Sequence, residues 1–200
     1  MLDALSMGGW PGGVMEAEVL SAEGNRVTIS EAMPTVGRRC LMTGKSGLNL
    51  TKAEDFVSFQ AAYGASNAPL KPILCEFGPT DVTAWVEGLG QTVFTGSTGR
   101  VFPMKMKSSP VLRAWLARLN DQGVTVQTRW RWMGWAKDET GDVATFNTPD
   151  GTATISAKTT ILAMGGASWK RLGSDGQWAG HLLDAVAPFQ PANVGFSILW

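Results

Sequence analysis

Apolar positions along this chain follow two periods, and the switches between them outline an α/β fold. Leu2, Ala4, Leu5 and Met7 open it as a short apolar run, but Asp3 interrupts and no β-branched residue appears, which is poor material for a buried parallel strand. Residues 12–23 take up a helical period, with Val14, Ala17, Leu20 and Ala22 set among Glu16, Glu18 and Glu23, and Gly24-Asn25 ends it. Residues 26–30 read as a strand that runs into Glu31. Helical spacing returns at 53–63, at 70–77, and at 82–89, where Thr80 or Asp81 is the expected cap. Strand-like pieces over 91–103 flank Gly96-Ser97-Thr98-Gly99. Ser108-Ser109-Pro110 then opens a helix whose stripe is Leu112, Trp115, Leu116 and Leu119. A strand at 124–126 precedes a change of character. Residues 129–157 carry three strands and two turns, the pattern of a small antiparallel meander. An apolar strand at 159–164, a helix at 177–187 and a further strand from 193 complete the pattern.

Glycine marks the points where this pattern carries chemistry. Gly8, Gly9, Gly12 and Gly13 fall between the first strand and the first helix, the layout that brings backbone N–H groups up to a diphosphate. The dinucleotide fingerprint places Gly first, third and sixth. Gly8 and Gly13 fill the first and sixth places, and Trp10 stands at the third. Glu31 follows Gly13 by 18 residues, near the distance expected of a ribose-binding carboxylate. A second strand end, at 162–166, carries Gly165-Gly166 and is followed by Gly173 and Gly176. Residues 34–52 are rich in Gly and cations without a clear period, so they read as a long functional loop. Gly44-Lys45-Ser46 inside it is not a phosphate-binding P-loop, because that motif needs Gly where Arg39 stands.

Charge and composition narrow the classes. The 17 Lys and Arg residues balance the 17 Asp and Glu, so no net field draws the chain to nucleic acid or to an anionic membrane. Alternating Arg and Trp at 129–132 could stack bases, but with zero net charge the better reading is a strand with one aromatic face. No apolar run is long enough to span a membrane, and the opening residues lack the regions of a signal peptide. Cys40 and Cys75 form no Cys-x-x-Cys pair and read as free thiols in a reducing cytoplasm. His181 has no partner at ligand spacing, reads as structural or surface, and leaves no metal site. No paired carboxylates or triad mark a catalytic residue.

Several strings resemble one family. They are Gly8-Gly9-x-Pro11-x-Gly13, the stretch from Val36-Gly37-Arg38-Arg39 through Gly44 to Gly47-Leu48-Asn49-Leu50-Thr51, Phe77-Gly78-Pro79, Leu162-Ala163-x-Gly165-Gly166-Ala167-Ser168-Trp169, and Pro191-Ala192-Asn193-x-Gly195-Phe196. In order and across the whole chain they resemble the bacterial NAD(P)/FAD-dependent oxidoreductase flavoproteins, with aminoacetone-oxidase-like and bile-acid-reductase-like members. The resemblance implies a glutathione-reductase-like FAD-binding Rossmann domain with a parallel central sheet and the meander as its β-insert. It implies FAD as cofactor, NAD(P)H as electron donor and a small-molecule substrate. By position, Gly8, Gly9 and Gly13 would meet the pyrophosphate and Glu31 the ribose. Arg38 and Arg39 would lie by the adenosine or phosphate, and Gly44, Gly47, Leu48 and Asn49 along the flavin. Ala163, Gly165 and Gly166 would let the dinucleotide pass close to a strand end, and Trp132 would stand near the adenine. The family's domain plan makes 1–187 the first part of the FAD domain and 188–200 the start of an inserted substrate domain, so the chain is expected to be an N-terminal piece. Trp10, the poor first strand and Glu16 in the helix turn depart from the family. They favour an alternative, a non-catalytic remnant or interaction module of the same fold that has lost FAD.

Overall fold

In the computed structural model, which describes residues 1–43, 47–139, 141–182 and 185–190, the poor first strand lies inside the main sheet. In chain order the elements are β1 (Leu2–Met7), α1 (Pro11–Ala22), β2 (Val27–Glu31), α2 (Arg38–Thr43), β3 (Thr51–Lys52), α3 (Phe56–Ala61), α4 (Asn67–Glu76) and α5 (Pro79–Gly88). They continue with β4 (Val93–Thr95), β5 (Arg100–Pro103), α6 (Ser108–Asp121), β6 (Thr125–Thr128), β7 (Arg131–Asp138), β8 (Gly141–Thr148), β9 (Gly151–Ile155) and β10 (Ala157–Leu162). They fall into two compact units. The first holds residues 1–20, 25–36 and the described residues from 125 onward, and the second holds 21–24 and 37–124.

The first unit is built on a parallel sheet of order β10-β1-β2-β6. Met7 pairs with Leu162 on one side and Ser30 on the other, so β1, β2 and β10 end together at one carboxyl edge. β1 manages without β-branched residues because its neighbours supply them, as Val27, Thr28 and Ile29 in β2 and Thr159, Thr160 and Ile161 in β10. Side chains alternate across it. Leu5 and Met7 join Trp132, Ala144 and Phe146 of the β7-β8-β9 meander in one buried cluster, with Trp130 and Met164 against it. On the other face the Ser6 hydroxyl donates to the Gly13 carbonyl at 3.2 Å and fixes the start of α1.

Asp3, the break in the apolar run, has a structural reason. Its carboxylate accepts the Arg26 backbone N–H at 3.0 Å and the Arg26 guanidinium at 3.2 Å, and pairs with Lys158 at 2.7 Å. One side chain thus links β1 to the entry of β2 and to β10. The Lys158 ammonium, then the Arg26 groups, hold its carboxyl well below the usual carboxylate range.

The second unit carries the antiparallel sheet β3-β5-β4 and the helices α2 to α6. Val111, Leu112, Trp115 and Leu119 of α6 are buried, and Trp115 meets Trp85 of α5 edge-to-face at 4.6 Å. The expected stripe is therefore the buried one, apart from half-buried Leu116.

Three expectations need correction. Residues 34–52 are not one loop, since α2 and β3 lie within it. Gly37, at φ 69°, turns the chain, and its carbonyl accepts from the Leu41 N–H at 3.1 Å, so the good helix formers after it close one and a half turns. Neither Thr80 nor Asp81 caps α5. Gly78 is the N-cap, and Asp81 reaches back to accept its N–H at 2.8 Å. Residues 177–187 begin as a 3₁₀ turn, Gln177–His181, in place of an α-helix. Gly176 and Gly180 weaken helical continuation there, and Asp175 takes the Gln177 N–H at 3.2 Å. The strand expected from 193 lies outside the described residues.

Asp3→Asn tests the clamp. A carboxyl whose folded pKa is depressed stabilises the fold above its unfolded value, near 3.8, and loses that contribution as pH falls through the folded value. The variant should therefore melt below wild type at neutral pH. The gap should be full above about pH 5 and narrow progressively below about pH 4. A gap independent of pH in thermal melts would refute the clamp.

Candidate dinucleotide-binding site

The carboxyl edge of the parallel sheet is where α/β folds place ligands, and here it is built by close backbone approach. Gly8 has φ 116°, and a Cβ on it would stand 2.4 Å from the Ala163 carbonyl oxygen. A Cβ on Gly13 would stand 2.2 Å from the Gly8 carbonyl oxygen. Both obstacles are backbone and cannot yield. The Gly8 N–H continues the ladder to Ser30 at 2.8 Å, and the Ala163 N–H donates to Met7 at 2.8 Å. Pro11 opens α1 at the position where its missing N–H costs nothing. The turn, the helix start and the end of β10 are thus locked together.

Glu31 ends β2 beneath this turn and is 5% exposed. Its Oε2 accepts the Gly9 N–H at 2.9 Å and its Oε1 the Met33 N–H at 2.8 Å. The carboxylate that spacing marked for a ribose already organises the backbone around it.

Gly165, at φ 72°, faces Trp10. The Cδ2 atom of the indole is 3.8 Å from where a Gly165 Cβ would be. The Gly165 carbonyl accepts from the Trp178 indole N–H at 3.0 Å, and the Gly166 carbonyl from the Ser174 hydroxyl. No atom crowds the Cβ position of Gly166. A cleft of about 50 Å³ remains between Gly8, Trp10, Glu31, Trp130, Trp132, Met164 and Gly173. A second cleft of about 170 Å³ shares Trp132, Met164 and Gly173 with it and continues to Trp178, His181 and the Arg131–Asp175 ion pair, 3.1 Å long. His181 lies edge-to-face on Trp132 at 5.0 Å and is exposed.

The structure therefore brings together Gly8, Gly9, Gly13, Glu31, Ala163, Gly165 and Gly166, with Trp132 beside them. The other expected residues belong to the second unit. Arg38 and Arg39 open α2. The Leu48 N–H donates to Met106 at 3.1 Å, a Cβ on Gly47 would meet the Met106 methyl at 2.6 Å, and Asn49 is exposed. Gly44, with Lys45, lies outside the described residues. Glu16 falls in the second turn of α1, not the first, and desolvation raises its pKa. In the second unit burial pushes the Cys40 thiol up, while Cys75 is exposed, and neither is in a disulfide. The sequence reading missed Trp130, Met164 and Trp178 as walls of the clefts. Their only signal was apolar character, which the core also requires.

A parallel sheet with a glycine-locked strand–helix turn and an acid at the end of the next strand defines a Rossmann-type nucleotide-binding fold. The chain belongs to the HI0933-like protein family, whose Rossmann domain model matches residues 2–188. This is the FAD-binding flavoprotein group that the motifs resembled. Among solved structures it is similar to the 3-ketosteroid-Δ4-(5α)-dehydrogenase of Rhodococcus jostii RHA1, with TM-score 0.63 and 13% identity over 82% of this chain and 46% of that one. A flavocytochrome c3 fumarate reductase matches at TM-score 0.62 and 20% identity over 82% and 34%, and THI4 of Thermovibrio ammonificans at 0.53 and 15% over 82% and 57%. At these identities the likeness is one of fold. The chain spans less than two thirds of each of these proteins. Among the described residues no group of His, Cys, Asp and Glu could hold a metal, and no helix is long and apolar enough to cross a membrane.

Glu31→Gln should destabilise the first unit by about 1–3 kcal/mol, because the amide must turn its NH2 toward either the buried Gly9 N–H or the part-buried Met33 N–H, which then loses its acceptor. Urea unfolding measures this. An unchanged midpoint would show that the two hydrogen bonds do not support the turn.

Proposed function

We propose that this chain is the dinucleotide-binding part of an FAD-dependent oxidoreductase acting on a small molecule, with NAD(P)H as electron donor. The observation that carries the reading is the strand–helix turn in which a Cβ on Gly8 or Gly13 would strike backbone, placed at the start of a helix and at the carboxyl edge of a parallel sheet. The residues fit the frame of an FAD site. Backbone N–H groups at the start of α1 would hold the pyrophosphate, and Glu31 would accept from ribose hydroxyls. Ala163 and Gly165 would allow close passage at the end of β10. Trp132, with Trp130 and Met164, would keep water from the ring system at the inner wall. FAD, when bound, supplies the hydride and electron transfer, and this chain's residues supply binding and orientation. Two cysteines outside any disulfide suit a cytoplasmic setting.

A second reading rests on one residue. Trp10 stands at the third place of the fingerprint and against Gly165, as expected of a non-catalytic relative that keeps the fold and has lost the cofactor.

Ligand that binds only the folded state raises the unfolding temperature in proportion to the logarithm of its excess, so even a weak site is visible. FAD in large excess should raise the melting temperature of the chain. Gly13→Ala, which cannot close the turn without moving backbone, should abolish the rise. No rise at any FAD concentration, with the fold intact by circular dichroism, would favour the second reading.

A further inference from the structure

We infer that the second unit carries a small-molecule site of its own, a cleft between the β3-β5-β4 sheet and α5 that takes a neutral ring compound with hydroxyl groups at opposite edges. The cleft measures about 400 Å³, within the range of sites that enclose small organic ligands. Its lining residues all belong to the second unit, so the inference is independent of the FAD-site reading.

Strand register builds the floor. Thr51 of β3 and Thr95 of β4 both pair with Val101 of β5, and directly paired residues share a sheet face. The three form one row across the sheet, an apolar centre with a threonine at each end. Val93, two positions before Thr95, widens the apolar part on the same face. From α5 come Pro79, Thr80 and Thr83. Thr83 gives its hydroxyl to the Pro79 carbonyl at 3.2 Å. Among the described residues no hydrogen bond engages the hydroxyls of Thr51, Thr80 and Thr95, so they are available to a ligand as donors and acceptors. The charged residues of the lining, Lys52 and Glu54, pair with each other, which leaves no unmatched charge to select an ion. The chemistry that answers this surface is an apolar ring body over Val93 and Val101 with an uncharged hydroxyl at each end. Thr51 and Thr95 stand two interstrand spacings apart, about 10 Å, so a fused two-ring diol spans them better than a single ring.

The probes are 2,6-dihydroxynaphthalene, naphthalene, which lacks the hydroxyls, and naphthalene-2,6-dicarboxylate, which carries charge. Affinities are measured by calorimetry on the full chain as wild type, as Thr51→Val/Thr95→Val and as Thr95→Ser. Valine keeps the β-branched shape that a strand favours, and unliganded melts show that each variant is folded. Wild type should bind the diol at least about tenfold more tightly than either other probe. The double valine variant should lose at least about tenfold for the diol and stay within about twofold for naphthalene, because only hydroxyls are removed. Thr95→Ser, which keeps its hydroxyl, should bind the diol as wild type does. Equal affinity for the diol and naphthalene would overturn the assigned ligand chemistry, as would tighter binding of the dicarboxylate. Unchanged diol affinity in the double valine variant would place the diol elsewhere and overturn the site. Absence of diol binding to wild type would also overturn it.

Discussion

The close approach of three backbone segments, at Gly8, Gly13 and Ala163, is the constraint on which the first unit depends. A methyl group at either glycine would overlap a carbonyl oxygen by more than an ångström relative to ordinary contact. Through this contact the end of β1, the start of α1 and the end of β10 become one rigid edge. Packing on the two sheet faces reinforces it. Leu5 and Met7 are held by the meander, while Ser6 holds the helix. The meander thus shares the core of the nucleotide unit, because Phe146 and Trp132 bury the same strand that presents the turn.

Much of this was legible in the chain. The glycine spacing, Glu31, the meander and the α6 stripe each follow from a local pattern with a short-range physical cause. What could not be read depends on partners distant in sequence. β1 looked too poor for a buried strand because its β-branched support lies in β2 and β10. Asp3 looked like a fault because Arg26 and Lys158, which make it a clamp, are separated from it by whole elements. The helix α2 was hidden by glycines and cations that give no period over six residues. The candidate site divides in the same way. Spacing located the turn and the acid, but the Trp10–Gly165 contact joins residues at opposite ends of the first unit's chain path.

Glu31 shows why spacing alone assigns a role too narrowly. A carboxylate at the end of β2 is placed to meet a ribose, yet it is also the nearest acceptor for the N–H groups of Gly9 and Met33. Buried donors need an acceptor whether or not a ligand is present. The same side chain therefore serves the fold first, and any ligand hydroxyl must be added to bonds already made.

That argument extends to the glycines and shifts the weight of the functional reading. Gly8 and Gly13 are demanded by backbone packing alone, so a chain that had ceased to bind a dinucleotide would still need them to fold. They establish the ancestry of the edge and its shape. Whether the edge is used is decided by side chains that packing does not demand. Trp10, at the third place of the fingerprint, stands opposite Gly165 at ordinary van der Waals distance. Trp10, half-buried at the third place of the fingerprint, is the side chain on which the two readings of this edge differ.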